Sequence, residues 1–259
     1  MAWDEKFYTK ALISLYVMCP LTVLSLRFLT APYGKHGSSG WGPTLHPALA
    51  WFLMESPTLW LTLILYPLGR HSSNPLSLTV ISLYLLHYIH RTLIYPLRLR
   101  STATKSNPGF PLFIALCAFS FNLLNAYLQA RSASHYAGAE TDGWRLWIRV
   151  AAGTAVFFSG MAVNIRSDLA LVQLKKEGGG GYKIPRGGCF ELVSCPNYMG
   201  EALEWLGWAV VAWSPAALAF FLYTCSNLVP RARAHHRWYR EKFGSDYPSS
   251  RRAIIPFFY

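Results

Sequence analysis

Pro47–Leu68, PALAWFLMESPTLWLTLILYPL, is the stretch from which the rest of the chain is read. Its 22 residues are enough for one helical crossing of a bilayer core, which takes about 20. Glu55, near the middle, is its only charged side chain. A carboxylate at that depth is costly, so it marks a functional site by default. The bland alternative is a carboxylate paired with a basic residue merely to satisfy a helix bundle. Pro57 follows two residues later, where it kinks the helix and frees a carbonyl beside the acid. In its protonated form such an acid donates a hydrogen bond to a carbonyl oxygen on which negative charge develops.

Further apolar stretches fall at 11–29, 75–97, 110–130, 145–165 and 198–228. The last is too long for one untilted helix, and Trp213-Ser214-Pro215 supplies a tight turn that would split it. Seven spans result, with six as the alternative. The chain of 259 residues is 53% hydrophobic and 14% charged, against about 25% charged in soluble domains. That much apolar surface exceeds what a water-soluble core of this size can hide. The expected class is an all-α, polytopic membrane protein of seven transmembrane helices, with cytosolic loops closing a pocket. No linker divides it, so 1–259 reads as a single domain.

Seven spans place sixteen Lys and Arg on one side and four on the other; six spans abolish the asymmetry. The positive-inside rule then puts the basic side, with the C-terminus, in the cytoplasm. The net charge of +12 is thereby explained without nucleic acid. The N-terminus mixes both signs and lacks a clear A-x-A site, so the first span reads as retained rather than as a signal peptide. Five cysteines, an odd number with no C-x-x-C pair, argue against a disulfide framework and against zinc. Two polar segments share the basic face, Arg166–Asn197 and Arg231–Tyr259. Within the first, Gly178–Gly181 reads as a flexible loop after a short amphipathic helix.

Several constellations carry chemistry, each beside a bland reading. His87, Tyr88, His90 and Arg91 lie inside the third stretch, with His87/His90 and Tyr88/Arg91 at helical i, i+3 spacing. An interfacial belt would sit at a helix end, but the apolar run continues to Tyr95. Paired His without Cys or acid nearby is a weak zinc signal. Asn122, Asn125 and Gln129 form one stripe, either glue between helices or pocket lining. Glu201 and Glu204 either salt-bridge to loop arginines or hydrogen-bond a nucleotide. The basic tail from Arg231 to Arg240 suits lipid headgroups or phosphates equally. Neither G-x-G-x-x-G after a strand nor G-x-x-x-x-G-K-[ST] occurs, so any nucleotide is held without a Rossmann or P-loop fold.

Ordered motifs from about Phe28 to Tyr259 make the chain resemble the membrane steroid 5α-reductases. They include APYGKH (31–36), AWFLMESP around Glu55, LHYIHRTLIYPLR from Leu86, NIRSD (164–168), YKIPRGG (182–188) and NYMGE (197–201). WFLMESPTLWLTL and ELVSCPNYMGEALEWLGWAV look most like the plant, de-etiolated-type branch that serves brassinosteroid synthesis. The resemblance implies a seven-helix protein of the endoplasmic reticulum membrane, NADPH bound towards the cytosol and a sterol entering from lipid. It implies reduction of the C4–C5 double bond of 3-oxo-Δ4-steroids, with Glu55 and Tyr88 as the catalytic pair on the 3-keto oxygen. Cofactor-binding positions would be Tyr33, Arg91, Asn164, Asp168, Asn197, Glu201, Arg231, His235 and Tyr239. Most of them fall in about 110–259. Lys175 and Lys183 stand where some relatives have arginine, which keeps the charge but loses the bidentate fork. No metal, nucleic acid or obligate protein partner is implied. Another membrane sterol or enoyl reductase is one alternative reading, and a transporter or scaffold with an intramembrane proton relay is another.

Overall fold

A computed structural model describes residues 2–37, 40–100, 109–136, 143–177 and 181–259. Helix α1 (Ala2–Phe28) is followed by α2 (Pro47–Glu55) and α3 (Pro57–Leu65), which meet at a break at Ser56. Helix α4 (Pro75–Ile89) passes through a wide π segment, His90–Ile94, into α5 (Tyr95–Arg100). Next come α6 (Leu112–Arg131), α7 (Gly143–Glu177), α8 (Pro196–Ala212) and α9 (Pro215–Phe243). One two-residue pairing, β1 (Thr44–Leu45) antiparallel to β2 (Phe110–Pro111), ties the loop before α2 to the start of α6.

Among the described residues, four helical stretches are long and apolar enough to cross a membrane: Trp3–Phe28, Pro47–Leu68, Leu112–Tyr136 and Gly143–Glu177. Four of the seven expected crossings thus have helices of membrane length and composition. The rest carry the polar centre or are short: α8 has 17 residues, and α9 turns basic from Arg231 onward. The expected break in 198–228 is present. Trp213 ends α8 in the left-handed region (φ 44°), and the Ser214 hydroxyl caps α9 by accepting from the Ala217 amide at 3.2 Å. Pro215 occupies the first helical position, where its missing N–H costs nothing.

Both long polar segments begin as helix. The amphipathic helix expected before Gly178 is the continuation of α7 to Glu177, and α9 continues to Phe243. Charge on one face ends an apolar stretch but not a helix, since no breaker follows Arg166 before the glycines at 178. That glycine run lies, except for Gly181, outside the described residues.

Glycines set the closest helix pair. Gly153 and Gly160 of α7 face Gly200 and Gly207 of α8, each pair seven residues apart on one face. A Cβ on Gly160 would meet the Gly200 carbonyl at 2.5 Å, and one on Gly207 the Gly153 carbonyl at 2.5 Å. Only backbones without side chains can touch this way. The bundle core beside them is aromatic: Tyr84, Phe157, Trp205, Trp208 and Phe220 are all buried. Leu21, Leu63, Phe113 and Phe158 point outward, as lipid-facing residues do when hydrocarbon is the solvent. Asp4 fastens α1 to α6 by accepting from Arg131 at 2.7 Å and from the Tyr127 hydroxyl at 3.0 Å.

Candidate functional site

Glu55 ends α2 where Pro57 interrupts the backbone ladder. The carbonyls released there are taken by side chains. Ser56 donates to Leu53 O at 2.9 Å, Thr58 to Glu55 O at 2.5 Å, and Asn122 Nδ2 to Met54 O at 2.6 Å. The same Asn122 amide reaches Glu55 Oε2 at 3.1 Å. The break therefore turns the carboxyl towards α6, and α6 holds both the acid and the backbone that carries it.

One turn further along α6, Asn125 Nδ2 stands 3.3 Å from the Tyr84 hydroxyl and 3.4 Å from the Tyr88 hydroxyl. Gln129 Nε2, a turn beyond, donates to Asn125 Oδ1 at 3.0 Å. The polar stripe of α6 thus meets the acid and the phenol on one face and joins α6 to the helices that carry them, the first of its two readings. Tyr88 also packs on Trp205, with ring centres 5.7 Å apart. Tyr84 and Trp205 are site residues that the sequence reading missed. Tyr84 lies one turn before Tyr88, a spacing that could have found it.

Arg91 is buried in the π segment, whose extra residue per turn changes the direction of the side chains that follow. Its guanidinium donates to Asp168 at 3.1 Å, lies 3.8 Å from Glu201, and covers the face of Trp51 with Cζ 4.4 Å from the ring centre. Asn197 Nδ2 donates to the other Asp168 oxygen at 3.0 Å, and Asn164 Nδ2 to the Asn197 carbonyl at 3.0 Å. The glycine contact between α7 and α8 is what brings Asn164 and Asp168 against Asn197. Glu204, one turn past Glu201, is fully buried and pairs with His87 at 2.8 Å. His90 instead faces Arg98 at 3.2 Å, so the two histidines do not converge.

A basic aromatic cluster adjoins through Tyr198, the neighbour of Asn197. Arg231 lies over the Tyr33 ring at 5.0 Å and the Tyr198 ring at 5.4 Å. The Tyr198 hydroxyl meets His235 Nε2 at 3.1 Å, and His235 Nδ1 meets His36 at 3.0 Å. Lys35 sits 3.8 Å above the Tyr239 ring. Neither Arg231 nor Lys35 forms an ion pair with a carboxylate among the described residues. Burial without a counter-charge lowers the Lys35 pKa to about 8. The structure therefore brings together nine of the eleven expected cofactor positions, in two touching groups. Lys175 and Lys183 stand apart: Lys175 is exposed on the last turns of α7, and Lys183 donates to the Glu177 carbonyl at the end of that helix.

Fold and site define a helical membrane protein with a buried polar centre and a basic cluster at one end. Residues 108–259 match the family described as 3-oxo-5-alpha-steroid 4-dehydrogenase. The chain is 60% identical over 257 residues to "Steroid 5-alpha-reductase DET2" of Arabidopsis thaliana, covering 99% of this chain and 98% of that one. It is 57% identical to the protein of the same name in Gossypium hirsutum, over the full length of both. It is 40% identical to "3-oxo-5-alpha-steroid 4-dehydrogenase 1" of Bos taurus, over 99% of each. The chain belongs to the 3-oxo-5-alpha-steroid 4-dehydrogenase family and is an oxidoreductase. The resemblance read from its motifs is borne out.

Proposed function

We propose that the protein reduces the C4–C5 double bond of 3-oxo-Δ4-steroids to 3-oxo-5α-steroids with NADPH, in the brassinosteroid synthesis of a plant. In this reading it spans the endoplasmic reticulum membrane seven times, and the basic cluster and C-terminus face the cytosol. The observation that carries it is the α6 bracket: Asn122 and Asn125, one turn apart, hold the Glu55 carboxyl and the Tyr88 hydroxyl on one face.

When bound, NADPH would supply the hydride that C5 takes up, and water would supply the proton that C4 needs for the enolate to return to the ketone. The protein meets the charge that then develops on the C3 oxygen. Because Asn122 donates to Glu55 Oε2, a proton carried by Glu55 belongs on Oε1, where it is free to donate. Tyr88 supplies a second donor from the neighbouring helix, and its contact with Trp205 fixes the ring. Two preorganised donors in a dry site act without solvent reorganisation. Trp205, Tyr84 and Phe220 exclude water around them.

The residues present fit a dinucleotide phosphate. Arg231 and Lys35 are positive groups without carboxylate partners among the described residues, held by aromatic faces, and an anion would supply the missing charge. Tyr33, Arg231, His235 and Tyr239 would surround the phosphates. Arg91, Asn164, Asp168, Asn197 and Glu201 would hold the hydrogen-bonding parts nearer the reacting centre. Lys175, at the end of α7, and Lys183, in the segment after it, would add charge at the cytosolic face without touching this cluster.

The test is turnover of a 3-oxo-Δ4-steroid with NADPH in microsomes, with stereochemistry read at C5. Glu55→Gln and Tyr88→Phe should insert normally and each lose about 10²–10³ in rate. Near-normal rates in both variants would remove their assigned roles. A wild-type protein inert towards a panel of such enones, yet stabilised by NADPH, would instead point to another ring or acyl double bond.

A further inference from the structure

Beside Tyr88 lies a buried acid–imidazole pair that takes no part in holding the C3 oxygen. Glu204 of α8 is fully buried, His87 of α4 is 4% exposed, and Oε1 meets Nδ1 at 2.8 Å. The contact between α7 and α8 fixes the acid, since a Cβ on Gly160 would run into the Glu204 backbone nitrogen. The Trp205 indole fixes the imidazole, with ring centres 4.5 Å apart. The same indole packs on the Tyr88 ring, and the His87 and Tyr88 ring centres are 5.0 Å apart.

The surroundings decide where the protons of this pair sit. Glu204 forms no ion pair with Lys or Arg among the described residues, and Arg91 is taken by Asp168 and Glu201. Glu204 Oε2 is buried without a partner. A carboxylate beside a neutral imidazole would be an uncompensated buried charge, which is costly. The pair is therefore neutral overall, either acid with imidazole or carboxylate with imidazolium. In both forms Nε2 carries a hydrogen. That Nε2–H has no partner among the described residues and is not sealed in. It is an unused donor on the residue next to the phenol.

We propose that Glu204 and His87 form the relay that protonates C4 through one water, a role that rests on the reaction proposed above. C4 is the ring carbon next to C3, so its proton source belongs beside the residue that holds the C3 oxygen. Hydride addition at C5 moves the C4–C5 π pair between C3 and C4 and the carbonyl π pair onto oxygen. On return the carbonyl re-forms, and the C3–C4 π pair takes a proton from water to make the C4–H bond. The broken O–H pair stays on the water oxygen, which takes the Nε2 proton. Nδ1 takes the Glu204 proton in turn. Glu204 is left as a carboxylate and regains one proton from solvent after product leaves, the proton consumed in the overall reduction.

The full-length protein in lipid nanodiscs would be assayed with a 3-oxo-Δ4-steroid, comparing H2O with D2O and NADPH with NADPH deuterated at the transferred position. Glu204→Gln keeps the shape and a hydrogen bond to Nδ1, and His87→Gln keeps an N–H donor near Nε2, but neither passes a proton along. Each should bind NADPH within about two-fold of wild type and lose about 10²–10⁴-fold in kcat, the range of general acid catalysis. Protonation then limits turnover, so the D2O effect should grow and the effect of deuterated NADPH should shrink towards one. A purely structural role would slow turnover and leave both isotope effects at their wild-type values. That result, or kcat within about two-fold of wild type, would overturn the relay, and either variant decides it if the other fails to insert. A wild-type protein inert towards every such steroid would instead sink the parent reaction, and the relay with it.

Discussion

Replacing Asn122 by alanine tests the α6 bracket without touching either proposed donor. The side chain is 5% exposed, so water does not take its place. Two bonds go: 3.1 Å to Glu55 Oε2 and 2.6 Å to the Met54 carbonyl. A hydrogen bond to the protonated, neutral carboxyl contributes about 0.5–1.5 kcal/mol, and a buried carbonyl left unpaired costs about 1–3 kcal/mol. The backbone term lowers stability. The carboxyl term loosens Glu55 and enters the barrier, where about 0.5–1.5 kcal/mol corresponds to roughly 2–13-fold in kcat. The assay is initial rate against steroid and against NADPH, with kcat and KM separated. kcat should fall by that factor, while the KM for NADPH, whose cluster lies across Arg91, stays within about two-fold. In the double variant with Glu55→Gln, the second change should cost little, because Asn122 acts through the acid already lost. Fully multiplicative losses, or an Asn122→Ala enzyme with wild-type kcat, would refute the reasoning.

Other consequences follow from the same geometry. Arg91→Lys keeps the charge but loses the planar group that reaches Asp168 with one arm and Glu201 with the other, and the stacking on Trp51; NADPH should bind about ten-fold or more weakly, read as a smaller nucleotide-dependent rise in melting temperature. Gly200→Ala drives a Cβ into the α7 backbone at Asn164; overpacking of about 1–3 kcal/mol should lower the melting temperature and weaken nucleotide binding together. Anion binding uses charged Lys35, whose pKa in the free protein is about 8. Affinity for NADPH should therefore hold below pH 8 and fall about ten-fold from pH 8.5 to 9.5, and Lys35→Gln should flatten that profile. Arg231→Leu should weaken NADPH more than NADH if this guanidinium serves the extra phosphate, a comparison that titration of both nucleotides settles.

What the chain determined by sequence alone was what composition and local chemistry dictate. Apolar stretches of membrane length, Pro57 after Glu55 and the Ser214-Pro215 start signal each act within a few residues, so the helices, the break and the turn were legible. The motifs carried the family. The sequence left open whether Asn122, Asn125 and Gln129 were glue or lining, and whether Glu201 and Glu204 faced loops or a ligand. Only packing answers such questions, because a side chain's partner lies on another helix tens of residues away. Glycines at 153, 160, 200 and 207 let two backbones touch and so placed Asp168 against Asn197; the π segment turned Arg91 towards both acids. The pairing of Glu204 with His87 and the packing of Tyr84 on Trp208 arise from the same cause. Each depends on the distance and rotation between helices, which the sum of many weak contacts sets and no local pattern encodes.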